Sequence, residues 1–141
     1  MSTVTLPDVE GGIRDALRAD TGMDALVDGR VFFGVPENAT WPLVTVQRVG
    51  GGDDPGEAPI DLALVQIDCW GAMRNKSQAW AAAAAVRSWA QSVRRATALN
   101  TEVTAYSVTV ESVLWAPDPA DRPRYSVTAL VMARATNAEA A

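Results

Sequence analysis

A strand-like segment that runs directly into an alanine-rich helix constrains the fold of this chain more than any other part of its sequence. In residues 60–70, apolar and mixed side chains alternate with the period of two that is typical of a β-strand. After Gly71, small apolar side chains recur every three or four residues from Ala79 to Val93, as on one face of a helix. Because alanine is small, we expect this helix to lie flat on the strand that precedes it. The apolar face of the strand would hold Ala63, Val65, Ile67 and Cys69.

The flanking segments predict a second helix and four further strands. Residues 8–19 carry apolar side chains at helical spacing, with Asp8 as N-cap, and Met23 to Val27 adds a further turn. The alanine-rich helix would begin after Asn75, with Gln78 completing a capping box, and would end at Arg94 and Arg95. The strands are expected in 30–35, 43–49, 102–115 and 124–134.

The segment GGGDDPGEAP, residues 50–59, predicts a long acidic loop between two paired strands. It combines four glycines, two prolines and three carboxylates, a composition that favours neither a strand nor a helix. We therefore expect the strands on either side of it to form an antiparallel hairpin.

This order of elements indicates an α+β fold, with an antiparallel sheet that carries the N-terminal helix and the alanine-rich helix on one face. Residues 1–135 would form a single domain, and 136–141 a disordered tail. The second face of the sheet is mixed in character and is either an interaction surface or covered by loops. Its apolar members would be Leu64, Trp70, Leu130 and Met132.

Composition argues against most kinds of catalysis. The chain has no histidine, which excludes Ser-His-Asp and Cys-His arrangements within it, and its one cysteine, Cys69, is expected to be a buried structural thiol. The carboxylates of the 50–59 loop lack EF-hand spacing, so we expect no metal and no cofactor. The net charge of −5 argues against a dedicated nucleic-acid surface, and neither a signal peptide nor a membrane span is expected.

Tryptophan and arginine mark candidate contact positions. Trp89 is expected in the core, whereas Trp41, Trp80 and Trp115 lie at element edges, where each is either interface or core rim. Arg94 and Arg95 either complement the helix C-terminus or contact a neighbouring subunit.

Several ordered stretches resemble the tail terminator (tail completion) proteins of long, non-contractile-tailed bacteriophages. They are DGRVF with the following VP, the proline-opened PLVTV, the strand that ends in DCWG before the helix, and the late DRPRYSVTALV. The likeness covers about residues 9 to 134 and rests on order and spacing rather than on a catalytic motif.

The resemblance implies a hexameric ring that caps the tail tube, stops its polymerisation and presents a surface to the head-completion protein, while DNA passes through unbound. Such a protein would be a non-enzymatic component of the virion at the head-tail junction, assembled in the host cytoplasm. On this reading we expect Asp53, Asp54, Glu57 and Arg48 to contact the tube, and Trp80, Arg87 and Arg94 to contact neighbouring subunits. The alternatives are a neck or head-completion component, or a small ligand-binding or cofactor-free enzyme domain, which a deep pocket with a perturbed titratable group would distinguish.

Overall fold

Six strands form the central sheet of the protein in a computed structural model, which describes residues 2–54 and 59–139. The helices are α1 (Val9–Ala19), α2 (Thr21–Val27) and α3 (Lys76–Ser92). The strands are β1 (Ser2–Thr5), β2 (Val31–Phe32), β3 (Leu43–Asp54), β4 (Ile60–Trp70), β5 (Arg94–Ala98), β6 (Thr104–Trp115), β7 (Arg124–Arg134) and β8 (Thr136–Glu139).

The central sheet has the strand order β2-β3-β4-β7-β6-β5 and is antiparallel except where β2 runs parallel to β3. β1 and β8 form a separate antiparallel pair. A mostly antiparallel sheet with three helices confirms the predicted α+β class. The expected hairpin of β3 and β4 and the long strands β4 and β7 also lie where the sequence predicts them.

All three helices share one hydrophobic core with one face of the sheet. The predicted apolar face of β4, from Ala63 to Cys69, is fully buried, and α1, α2 and α3 each contribute side chains to the same cluster. The buried side chains of α3 are Ala79, Ala82, Ala83, Val86, Trp89 and Ala90. α3 lies across β4, β7 and β6 and against α2. The helices therefore cover a single face of the sheet.

Side-chain caps begin the helices. Asp8 accepts a hydrogen bond from the Gly11 N–H (3.1 Å), and Asn75 accepts one from the Gln78 N–H (3.2 Å). The reciprocal half of the predicted capping box is absent, because the Gln78 Oε1 instead accepts from the Ala72 N–H (2.9 Å). Gln78 thus ties the turn after β4 to the first turn of α3.

Close packing explains a glycine inside α1. A Cβ atom at Gly12 would lie 2.9 Å from two side-chain atoms of Val103, which is shorter than real contacts of this kind. Glycine in a helix is less favourable than alanine by about 1 kcal/mol. At this position, however, the absence of a side chain lets α1 approach the segment that leads into β6.

The prediction that residues 50–59 contain no strand was wrong for 50–54. β3 continues to Asp54 and stays paired with β4 through a bulge between Arg48 and Gly50. Gly51 has φ +85°, and a Cβ there would collide with the Leu62 carbonyl oxygen. Glycine therefore permits the ladder to continue past the bulge, rather than ending it. Residues 55–58 lie outside the described part of the chain.

Three other boundaries differ from the expectation. The strand expected in 30–35 is limited to Val31–Phe32. α3 ends before Val93, whose backbone is extended and whose side chain is buried, so Arg94 and Arg95 belong to β5 and not to the helix. Residues 136–139, expected to be disordered, form β8 and pair with β1, a partner that local composition does not reveal.

Candidate functional site

A groove runs between the outward side of α3 and strand β6. Its main part has a volume of about 310 Å³ and is more apolar than polar. The helix contributes positions three or four residues apart, which therefore share one face. The lining residues are Trp80, Ala83, Ala84, Arg87, Ser88, Gln91 and Val113. Two smaller hollows extend the groove along Val108 to Val113 of β6, and Arg87 lines all three.

Aromatic rings surround one end of the groove. Trp80 and Trp115 each lie with ring centroids 5.1 Å from Tyr125, in tilted or edge-to-face contact. The Lys76 ammonium lies 4.3 Å from the centroid of the Trp115 ring, a cation–π distance. Trp80 remains 53% exposed and Trp115 39% exposed. This end of the groove therefore presents a large aromatic surface to solvent.

The strand that borders the groove is only partly paired on its outer side. β5 pairs with β6 between Thr104 and Ser107. In the described part of the chain no strand lies beside residues 108–115 on that side. Their outward backbone N–H and C=O groups are therefore free to pair with an extended segment of another molecule.

The structure brings together two of the three residues expected at a subunit interface. Trp80 and Arg87 are exposed on the same side of α3 and both line the groove. Arg94 does not line it, because it belongs to β5, but its Nε donates to the carbonyl oxygen of Gln91 at the end of the groove (3.1 Å). Trp80, expected to be interface or core rim, is thus an exposed groove residue.

Arg48 has a different environment from the one expected for a tube contact. Its guanidinium forms two hydrogen bonds of 2.6 Å with Asp61, whose side chain is fully buried, and its backbone N–H donates to Glu10 (2.6 Å). The hydrogen bonds that the Arg48 guanidinium donates to the Asp61 carboxylate raise the pKa of Arg48, against the effect of burial. We therefore assign Arg48 to the base of the hairpin as an internal ion pair.

The structure gives the backbone position of two of the other three residues expected to contact the tube. The backbone of Asp53 and Asp54 lies in β3, opposite Asp61 and Ile60 of β4. Glu57 lies outside the described residues. The hairpin end of the sheet is opposite the aromatic end of the groove, because Tyr125 is at the start of β7 and pairs with Cys69 near the end of β4.

Two tryptophans outside the groove stack with arginines. Trp41 and Trp70 are in tilted contact at 5.8 Å, with Arg122 over Trp41 (3.8 Å) and Arg124 over Trp70 (4.8 Å). Trp70 also donates to Thr45 Oγ1 (3.2 Å) and is buried. On the same sheet face Leu64, Leu130 and Met132 are half-buried. Trp70, which the sequence pattern places on a face that is either an interaction surface or covered by loops, is therefore a packed member of this corner.

Titratable groups with shifted pKa values lie away from the groove. Burial, and secondarily Asp68, raises the pKa of the Cys69 thiol far above its usual value, which keeps it protonated. A hydrogen bond from Asn100, assisted by Arg14, lowers the pKa of Asp15. Within residues 2–54 and 59–139, no three His, Cys, Asp or Glu side chains are grouped as metal ligands. Among the described helices, none has the length and apolar composition of a membrane span.

Some groove residues can be predicted from the sequence, and others cannot. Ala84, Ser88 and Gln91 are predictable as helical neighbours of Trp80 and Arg87, because positions three, four, seven and eight residues apart share a face. Val113 and Tyr125 come from distant strands, and only the tertiary structure brings them to α3.

Comparisons with known proteins give two findings. A family model described as "Tail completion protein gp17" matches residues 11–111. A chain of the "Virion of native gene transfer agent (GTA) particle" has a similar fold, with a TM-score of 0.65 at 18% sequence identity over 89% of this chain and 93% of that chain. No curated protein sequence matches significantly.

Proposed function

The chain belongs to the tail completion protein gp17 family, and from this membership we propose that it caps the end of a phage tail tube as a hexameric ring. The ring would stop polymerisation of the tube and provide the surface to which the head is joined. The family match is the observation that carries this proposal, because it runs from α1 into β6 and includes the hairpin, α3 and most of the groove. The fold shared with a chain of a gene transfer agent virion supports it.

The groove supports a role in contacts between subunits. A closed ring built from one kind of chain needs two different surfaces on each copy, one of which binds the other on the next copy. Trp80 and Arg87, with Arg94 beside them, form one such surface, since exposed aromatic and arginine side chains are enriched at interfaces.

The β3–β4 hairpin supports a role in contact with the tube. The backbone of Asp53 and Asp54 lies in β3 at the end of the sheet away from the aromatic end of the groove, and Glu57 follows three residues later in the sequence. We assign these three residues to the tail tube protein, and Arg48 to holding the base of the hairpin through Asp61. The net charge of −5 supports passage of DNA through the ring without specific binding.

The test replaces charges in the hairpin without shortening it, because a deletion that begins at Gly51 would remove residues paired with β4. We expect Asp53→Asn/Asp54→Asn to fold normally and to lose capping of purified tail tubes, since amides keep the size of the carboxylates and remove their charge. Adding Glu57→Gln should deepen the loss. Tube length and end structure would be measured by electron microscopy after assembly with each protein.

A matched control removes the same charge elsewhere. Glu102→Gln/Asp121→Asn changes two exposed carboxylates outside the hairpin and should leave capping intact. Tubes of normal length with the hairpin variant would show that these carboxylates do not contact the tube. Binding of the wild-type ring to heads but not to tube ends would identify a neck component instead.

Light scattering of the purified protein across a concentration series gives the assembly state. A hexamer would have six times the 14.9 kDa mass of one chain. If the protein is monomeric in solution, purified tail tubes are added and their ends are inspected for rings.

A further inference from the structure

We propose that the groove between α3 and β6 receives residues 33–37 of the next copy of the same chain, so that subunits join head to tail. The proposal rests on the ring assembly proposed above and names the second surface that this assembly requires. The occupant is a second copy, and the docked residues are Phe33, Val35 and Glu37.

The docked segment follows the edge strand β2 and is unusually exposed for its composition. Phe33 is 46% exposed and Val35 is 45% exposed, and Glu37 is also exposed. The Arg14 guanidinium lies 4.5 Å from the centroid of the Phe33 ring, which orients the ring. Residues 33–37 thus present two apolar side chains and one carboxylate beyond the edge of the sheet.

The two surfaces lie at opposite edges of one sheet, which excludes contact within one copy. β2 is the first strand in the sheet order, whereas β6 is the fifth and has β5 beside only its first part. Four interstrand spacings separate β2 from β6, which is roughly 19 Å. A chain therefore cannot place its own residues 33–37 in its own groove, and the same contact repeated between copies generates a ring or a filament.

Charge is complementary between the two surfaces. The groove side exposes Lys76, Arg87 and Arg94, with Glu111 as an opposing carboxylate. The other edge exposes Asp24, Asp28 and Glu37. This edge also carries three arginines: Arg14 pairs with Asp15, Arg30 lies 4.0 Å from Asp28, and Arg18 donates to the Val31 carbonyl oxygen. The four carboxylates on this edge outnumber these three guanidinium groups; they are Asp15, Asp24, Asp28 and Glu37. A basic groove therefore faces an acidic partner surface.

Shape and chemistry also fit. A groove of about 310 Å³ lies at the lower end of the volumes that enclose small ligands, about 300–1,000 Å³, so it suits a few side chains rather than a domain. The rings of Trp80 and Tyr125 offer edge and face contacts to a phenyl ring. The free edge of residues 108–115 can pair with the backbone of an extended segment.

Cysteine cross-linking tests which surfaces meet. The variant Val35→Cys/Ser88→Cys carries one thiol on each surface, at two exposed positions. Cys69 is buried and does not compete for a maleimide reagent. With a flexible bismaleimide, and with purified tail tubes present, we expect a ladder of covalent multimers. Each single variant alone should give no covalent dimer, whereas an equimolar mixture of the two single variants should give covalent dimers, because only unlike surfaces meet.

The control variant Gln47→Cys/Ser88→Cys moves one thiol to an exposed position on the other sheet face and should give no ladder. Absence of a ladder from the test variant, while it still caps tubes, would overturn the assigned surfaces and leave the capping function standing. A ladder from a protein that does not cap tubes would support the surfaces and overturn the capping function. Cross-linked dimers from either single variant alone would show that like surfaces meet, and would overturn the head-to-tail arrangement.

Discussion

At the scale of single residues, Arg48 shows the clearest difference between the environment that its sequence neighbours suggest and the environment that it has in the fold. An arginine beside a glycine-rich acidic segment is expected to reach outward to a partner. Its guanidinium instead forms a two-point ion pair with Asp61, a carboxylate with no exposed surface. Removing one member of such a pair leaves the other charge buried without compensation.

Arg48→Met should therefore lower the free energy of unfolding by about 3 kcal/mol, as is typical when one partner of a buried ion pair is lost. Arg48→Met/Asp61→Leu should recover most of that loss, since the double variant buries no charge. Urea unfolding followed by tryptophan fluorescence would measure both. Arg95→Met, which removes an exposed arginine, is the control. Equal losses for Arg48→Met and Arg95→Met would show that the ion pair contributes nothing.

At the scale of elements, α3 connects the core to the groove. One face of the helix is buried against β4, β7 and β6, and an adjacent face carries Trp80, Arg87 and Gln91. The side chain of Asn75 caps its first turn, and Gln78 bonds the turn before it. Any change that frays this turn would also move Lys76 and Trp80 at the aromatic end of the groove.

Asn75→Ala should lower the free energy of unfolding by about 1 kcal/mol, because the Gln78 N–H loses its acceptor. Asn75→Asp should be neutral or slightly stabilising, since a carboxylate accepts the same hydrogen bond and favours the positive end of the helix dipole. Thermal and urea unfolding would give both values. If alanine and aspartate behave alike, the cap does not contribute to stability.

At the scale of the whole molecule, the sheet separates two surfaces of opposite charge. The basic groove borders β6, and the acidic segment follows β2 at the other edge. The net charge of −5 reveals neither the basic nor the acidic surface, because it is the sum of the charges on both. Head-to-tail contact would place Arg87 of each copy near Glu37 of the next.

Reversing either charge should therefore abolish ring formation, because every interface then holds two like charges. An equimolar mixture of Arg87→Glu and Glu37→Arg proteins should restore it, since the two variants can alternate around a ring with an even number of subunits. Light scattering and electron microscopy of capped tubes would show the result. The double variant Arg87→Glu/Glu37→Arg is the matched control and should also assemble. If the mixture forms rings no better than either variant alone, Arg87 of one copy does not contact Glu37 of the next.

Local pattern in the sequence was sufficient for much of the fold. The alternation in 60–70 and 124–134 predicts β4 and β7, and the stripe from Ala79 to Ala90 predicts the buried face of α3. Asp8 and Asn75 were identified as caps because capping depends on neighbours within three residues. Trp80 and Arg87 could be placed on one side of a helix for the same reason.

Contacts between distant segments determined the rest. The continuation of β3 through Gly51, the pairing of β8 with β1 and the end of α3 at Val93 all depend on partners far away in sequence. The groove likewise exists only because β6 and β7 bring Val113 and Tyr125 beside α3. Periodicity reports which face of an element is apolar, and it carries no information about which other element covers that face. The sequence alone therefore determined the elements and their buried sides, while tertiary packing decided where their exposed sides meet.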